Sequence, residues 1–255
     1  MRTKKTRKSS FDTIKKASFW KNLTVEDVQK YIVPVPISHI YNFGYSLTDD
    51  LDLAWGSGDA LHHALFNNAS VSAISALIRA GSDASQAPLT LAVSCSEGVE
   101  IVKLLISAGV DVNLKGPGVG QTPLHVTWMQ PNTQAAIEIA TILLDSGANV
   151  NARNMLGFTP LISAITAVYF VGHEDYISEP GLLVEHLINA GADVNARADC
   201  SHTALHVAAN ANLDQRATES LIKNGANIHA VNSKGKTPLD LALSKNNSDL
   251  IQVLS

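Results

Sequence analysis

Three groups of residues have the make-up of a chemical site: a glycine-rich loop, a set of scattered histidines with two cysteines, and one histidine beside two carboxylates. Gly116-Pro117-Gly118-Val119-Gly120-Gln121-Thr122 has the glycine density that lets a loop turn successive amides toward a phosphate. Such a loop also needs a lysine before its closing hydroxyl residue, to reach the outer phosphates, and a buried strand leading into it. Gln121 stands where that lysine would be, and the stretch reads as a hairpin between helices, not as the turn of a βαβ unit. His62, His125 and His206 occur one to a repeat, so they cannot converge on a metal, which needs several His, Cys or carboxylate ligands together. Cys95 and Cys200 also lie in different repeats. His173-Glu174-Asp175 reads as a polar loop tip, since acid–base work needs a pocket that the sequence does not outline. No G-x-S-x-G elbow and no H-E-x-x-H signature is present. The expectation is a protein with no catalytic residue, no cofactor and no metal.

What positions these residues is a repeat. The tetrads Asp59-Ala60-Leu61-His62, Ala87-Pro88-Leu89-Thr90, Thr122-Pro123-Leu124-His125, Thr159-Pro160-Leu161-Ile162, Thr203-Ala204-Leu205-His206 and Thr237-Pro238-Leu239-Asp240 mark six helix starts. In the fullest form threonine supplies an N-cap hydroxyl and proline a preset first turn. Gly81, Gly109, Gly147, Gly191 and Gly225 end helices, each preceded at four and three residues by an apolar pair: Leu77-Ile78, Leu105-Ile106, Leu143-Leu144, Leu187-Ile188 and Leu221-Ile222. Two short helices cannot bury those leucines alone, so the repeats must stack.

The stretch Gly147 to Ala164, G-A-N-V-N-A-R-N-M-L-G-F-T-P-L-I-S-A, holds all of this punctuation. It resembles the ankyrin repeat, whose consensus carries G-A-D-V-N-A, a glycine, and then T-P-L-H-x-A. The resemblance implies an all-α fold, an ankyrin-repeat solenoid of about six helix-turn-helix units with β-hairpin loops. It also implies that the tetrad histidines bond to neighbouring backbone and threonine hydroxyls, and that the protein binds other proteins without chemistry, through hairpin tips and the concave helix face. A further alternative is that the repeats are the targeting part of an effector enzyme. The N-A-R turns and the T-V-E-D-V segment look more like bacterial ankyrin proteins than animal ones.

The spacing shows irregular places. From tetrad to glycine the intervals are 22, 22, 25, 32 and 22 residues, so repeats three and four carry extra residues, expected between their helices. The longer insertion, around Val168 to Pro180, is expected to extend the first helix before looping out. From glycine to the next tetrad the intervals are 6, 13, 12, 12 and 12, so the first hairpin is a stub. Residues 19–58 read as an atypical N-terminal cap interrupted by Pro34 and Pro36, and residues 59–255 as the array. Asn246, Asn247, Asp249 and Gln252 are expected to give the last helix, Ser248 to Leu254, a polar outer face and so to cap the array.

Apolar residues make up 45% of the chain and charged ones 16%, which excludes a disordered protein. Residues 1–21 hold Arg2, Lys4, Lys5, Arg7, Lys8, Lys15, Lys16 and Lys21 against Asp12 alone, a charge of +7 that leaves −11 for the remainder of a chain of net charge −4. Residues 1–18 read as a disordered basic tail, with nucleic acid or an anionic membrane as the alternative partner through residues 1–21. The cysteine usage points to a reducing compartment, the cytoplasm, and no secretory signal or transmembrane stretch is visible.

Candidate partner contacts come from the hairpin tips, where the fold asks only for polar turn residues. Met155, Leu156 and Phe158 beside Arg153 break that rule, and aromatic, methionine and arginine side chains are common at interface hot spots. The competing expectation is that Tyr169, Phe170 and Tyr176 of the insertion fold back over this tip. Met129, Gln130, Asn210 and Lys245, on the first helices, complete the candidate binding surface.

Overall fold

The computed structural model describes residues 60–166, 177–211 and 215–254. The basic tail 1–18, the segment 19–58 and residues 167–176 of the insertion, with Tyr169, Phe170, His173 and Tyr176, lie outside the described residues. The described residues fall into two compact parts, divided between Asp111 and Val112. In the first, α1 (Ala60–Phe66) pairs with α2 (Val71–Arg79), and α3 (Leu89–Ser94) with α4 (Gly98–Ser107). In the second, a 3-10 helix (Pro123–Met129) pairs with α5 (Thr133–Asp145), and α6 (Pro160–Thr166) with α7 (Pro180–Asn189). The pairs α8 (Ala204–Ala211) with α9 (Gln215–Lys223), and α10 (Pro238–Lys245) with α11 (Ser248–Leu254), follow.

Within each part, first helices pack on first helices and second on second. In the second part α6 touches both the 3-10 helix and α8, and α8 touches α10, while α5, α7, α9 and α11 form the other layer. No strand occurs among the described residues; the hairpins close through isolated backbone bonds, such as that from Asn154 N to the Phe158 carbonyl at 3.0 Å. The all-α array of helix pairs is the one expected.

The helix ends follow from local chemistry. Thr237 has an extended backbone, its hydroxyl accepts from Asp240 N at 3.2 Å, and the Asp240 carboxylate accepts from Thr237 N at 2.8 Å, a reciprocal capping box. The bonds that the carboxylate accepts from Thr237 N and from the Thr237 hydroxyl, at 2.9 Å, hold the Asp240 carboxyl below its usual range. Repeat two has Ala87 in place of threonine, and α3 begins without a side-chain cap. At the other end Gly147 adopts φ 90°, which a Cβ would oppose, so that Ala148 N can turn back to the Leu143 carbonyl at 2.9 Å. The same Leu143 side chain is fully buried. Leu77, Leu105, Leu187 and Leu221 repeat both roles, closing a helix with the carbonyl and filling the core with the side chain.

Repeats are then tied to one another by asparagine. The Asn113 side chain donates to the Gly147 carbonyl at 3.0 Å and accepts from Asn149 N at 2.8 Å, satisfying two groups at the end of the next helix. Asn151 does the same for Gly191 O and Asp193 N, and Asn195 for Gly225 O and Asn227 N.

Three expectations need correction. The extra residues of repeat three do not sit between its helices: α5 runs for 13 residues where α2, α4, α7 and α9 run for 9 or 10. Its first helix is 3-10 in form and stops where Pro131, without an amide, cannot continue the ladder. In repeat four Pro180 belongs to α7 as its first residue, and Ile177 just before it is buried, its amide on the Trp128 carbonyl at 3.2 Å. Asn247 is not part of a polar outer face; it is buried, and its side chain caps α11 by accepting from Leu250 N at 3.1 Å.

The tetrad leucines Leu61, Leu89, Leu124, Leu161 and Leu205 are at most 1% exposed. Leu161→Ala is expected to cost about 2–5 kcal/mol through the cavity it leaves. Pro160→Ala removes only a preset helix start, and is expected to cost less than about 1 kcal/mol. Denaturant titration of the two variants checks the contrast, and equal costs would displace the tetrad register.

Candidate protein-interaction surface

The hairpins of the second part are laid side by side by backbone bonds between their tips. Met155 N donates to the Val119 carbonyl at 2.8 Å, Asp199 N to Leu156 O at 3.2 Å, and Ser233 N to Cys200 O at 3.1 Å, so four successive tips form one row. Two of the four are braced from below by an asparagine. The Asn154 side-chain oxygen accepts from Leu156 N at 2.9 Å and Phe158 N at 3.0 Å, and Asn232 accepts in the same way from Lys234 N and Lys236 N. The tip between them has Ala198 in place of asparagine and Ser201, at φ 59°, in place of the turn glycine.

Histidine joins this row to the helix starts. His125 Nδ1 accepts from Thr122 N at 3.2 Å, so the neutral ring carries its proton on Nε2, which donates to the Phe158 carbonyl at 2.9 Å. His206 repeats the arrangement with Thr203 N and the Lys236 carbonyl, also at 2.9 Å. The Thr122 and Thr203 hydroxyls stand 2.8 and 2.9 Å from the same Nδ1 atoms. Burial lowers the pKa of both rings, only partly offset by the carbonyl bonds.

On this braced row Met155 is 72% exposed and Leu156 is 48% exposed, with the turn between them and Phe158 made by Gly157 at φ 70°. Phe158 is half-buried. A Cβ on Gly120 would lie 3.5 Å from Met155 Cγ, so the methionine leans over the neighbouring tip, beside exposed Val119. Cations run along the same row and reach from each tip to the next. Lys115 Nζ donates to the Arg153 carbonyl at 2.9 Å, the Arg153 guanidinium stands 3.8 Å from the Asp199 carboxylate, and the Arg197 guanidinium donates to the Val231 carbonyl.

A family profile described as ankyrin repeats, in three copies, matches residues 89–179 and 176–255. The chain belongs to the ankyrin-repeat family. Neurogenic locus notch homolog protein 1 of Cricetulus griseus is 37% identical over 142 residues, 56% of this chain and 5% of that protein. E3 ubiquitin-protein ligase KEG of Arabidopsis thaliana is 33% identical over 150 residues, 56% of this chain and 8% of that protein. SH3 and multiple ankyrin repeat domains protein 2 of Homo sapiens is 29% identical over 196 residues, 66% of this chain and 10% of that protein. The ankyrin chain therefore spans a tenth or less of the length of these relatives.

Of the residues expected to meet a partner, Arg153, Met155, Leu156 and Phe158 share one ankyrin turn, and Arg153 is in part a brace, through Asp199. Met129 and Asn210 are half-buried near the ends of the 3-10 helix and α8, and Lys245 is exposed at the end of α10. Gln130 drops out: it is 5% exposed, turned inward where the 3-10 helix ends. Val119 and Val231 were missed, though a valine in an otherwise small and polar turn is a readable signal. The glycine-rich loop is a closed hairpin, with Gly116 N on the Gln121 carbonyl at 2.7 Å. Cys95 is buried, and burial pushes its thiol up to about 12. Cys200 is exposed, with Sγ 2.8 Å from His202 Nδ1, while His202 Nε2 meets Asn232 Nδ2 at 3.0 Å. Among the described residues no three His, Cys, Asp or Glu side chains gather as a metal site.

Two outcomes follow from this geometry. A Cβ on Gly157 would lie 2.9 Å from Asp199 N and 2.6 Å from the Arg153 guanidinium, whereas one on Gly235 would meet nothing within 4 Å. Both Gly→Ala changes incur about 1 kcal/mol for a side chain at positive φ. Gly157→Ala is expected to lower the urea midpoint further than Gly235→Ala because it also forces two tips apart. In the second outcome, the unfolded histidines, near pH 6.5, take up protons before the buried His125 and His206 rings do. Their contribution is therefore intact above that pH and lost as pH falls through and below it. The melting temperature is expected to fall from pH 7.5 to pH 5, and to fall less in His125→Asn with His206→Asn, as read by thermal scans at each pH.

Proposed function

We propose that this ankyrin chain is a non-catalytic module that binds another protein through its row of hairpin tips, with the first helices adding contacts at Met129, Asn210 and Lys245. The carrying observation is the exposure of Met155 and Leu156 on a turn whose backbone is bonded on both sides and from below. Two large apolar side chains held in water by a rigid frame serve no core, and a preorganised surface loses little freedom on binding. Family membership supports a protein-interaction role. The match to the E3 ubiquitin-protein ligase covers too little of that protein for its activity to be carried across. Free Cys95 and Cys200 support a reducing, cytoplasmic setting. No described helix is long and apolar enough to cross a membrane. The alternative, nucleic-acid or anionic-membrane binding through residues 1–21, falls on residues outside the described ones.

The test places a photo-crosslinking amino acid at Met155, or at Lys223 on α9, in the full chain. Crosslinking to a protein is expected from Met155 and not from Lys223. Met155→Ser with Leu156→Ser is expected to weaken that protein's binding by about 2 kcal/mol or more at an unchanged melting temperature. Binding that ignores the double substitution would move the interface off the tips.

A further inference from the structure

The second part of the chain is electrically polarised along its row of tips. The four tips, residues 113–121, 151–159, 195–203 and 229–237, hold Lys115, Arg153, Arg197, Lys234 and Lys236 against Asp199 alone, a charge of +4. Among the described side chains of 112–255 outside the tips, three cations (Arg216, Lys223, Lys245) stand against seven carboxylates, a charge of −4. The tip-to-tip backbone bonds gather the cations into one edge, and the exposed Val119, Met155, Leu156 and Val231 lie along the same row. Lys115, Arg153 and Arg197 are partly occupied in bracing their neighbours. Lys234 and Lys236 are exposed on the last tip.

We infer that the segment this surface receives is acidic and apolar: an extended stretch of a partner protein that alternates carboxylates with large apolar side chains. The inference rests on the protein-binding reading above and adds the chemistry of the partner. Carboxylates meet the cationic edge, and their attraction steers the encounter, while the acidic remainder of the body repels a segment that approaches elsewhere. Apolar side chains meet Met155, Leu156 and the two valines. A nucleic acid suits the surface less well. Duplex DNA carries a charge every 1.7 Å or so and would extend its phosphates over the acidic body. A single strand would need exposed aromatic rings on which to stack its bases, and Phe158 on this row is half-buried.

The test measures fluorescence anisotropy of a labelled peptide alternating Glu with Leu and Phe, titrated with the full chain. The comparison probes are the same peptide with Lys for each Glu, and a duplex DNA. The acidic peptide is expected to bind at least about tenfold more tightly than the basic one. Its affinity should fall as ionic strength rises from about 0.1 M to about 1 M, which shortens the screening length from about 10 to about 3 Å. Lys234→Glu with Lys236→Glu is expected to weaken it at least about tenfold, Lys234→Gln with Lys236→Gln by less, and Lys223→Glu on α9 hardly at all, with melting temperatures showing that each variant folds. Equal binding of the two peptides, tighter binding of the duplex, or indifference to the tip lysines would overturn the inference. If the acidic peptide fails while a crosslink from Met155 to a protein still depends on Met155 and Leu156, the partner class is wrong and the interface stands. If the crosslink fails as well, the surface is wrong.

Discussion

The hydrogen bond from the His125 ring to the Phe158 carbonyl, with its copy from His206 to Lys236, is the tie on which the candidate surface depends. A hairpin tip that reaches into solvent has few apolar contacts to hold it, and its backbone would otherwise be free to move. Here the Phe158 and Lys236 carbonyls are each held by a ring buried at the start of the preceding repeat, and that ring is itself oriented by a threonine amide. A protonated ring can still donate to that carbonyl, but its Nδ1 can no longer accept from the threonine amide that orients it; burial favours the neutral form in which both bonds are made. Core, helix start and hairpin tip thus form one continuous structure.

The asparagine clamps extend the same logic to the helix ends. A helix leaves its last carbonyls without partners, and a left-handed glycine turns the chain so that some are satisfied locally. In this array the glycine carbonyl itself is left over, and Asn113, Asn151 and Asn195 each reach forward to take it. Each of these three asparagines therefore completes the hydrogen bonding of the repeat that follows it in the second part of the chain. Cooperativity between adjacent repeats has a polar as well as an apolar source.

Rigidity of the row changes what its side chains can do. An apolar group on a mobile loop collapses onto the nearest surface, whereas Met155 and Leu156 are fixed between neighbouring tips and stay in water. Lys115, Arg153 and Arg197 serve two ends at once, since the head group that braces the next tip also contributes to the field along the edge. The tip at Ala198 to His202, without the asparagine clamp and the glycine, is held by the tips on either side, and by the contact of His202 with Asn232.

Much that depends on neighbours in sequence was legible in the sequence. Caps, helix-ending glycines and tetrad leucines act within a few residues of one another, so spacing alone placed the helices and named the buried leucines. Pro131 at a helix stop, Pro180 at a helix start and the Asn247 cap are local signals that were passed over; other unexpected features depend on residues far apart. That Gln130 and Asn247 are buried, and that the added residues of repeat three lengthen α5, follow from how helices pack, which polarity and spacing do not encode. The apolar tip at Met155, Leu156 and Phe158 could be read because it breaks a local rule. Val119 and Val231 break the same local rule and were readable one by one, but that they and five cations line a single row could not be read, because residues some 30 to 40 positions apart become neighbours only when each hairpin is bonded to the next.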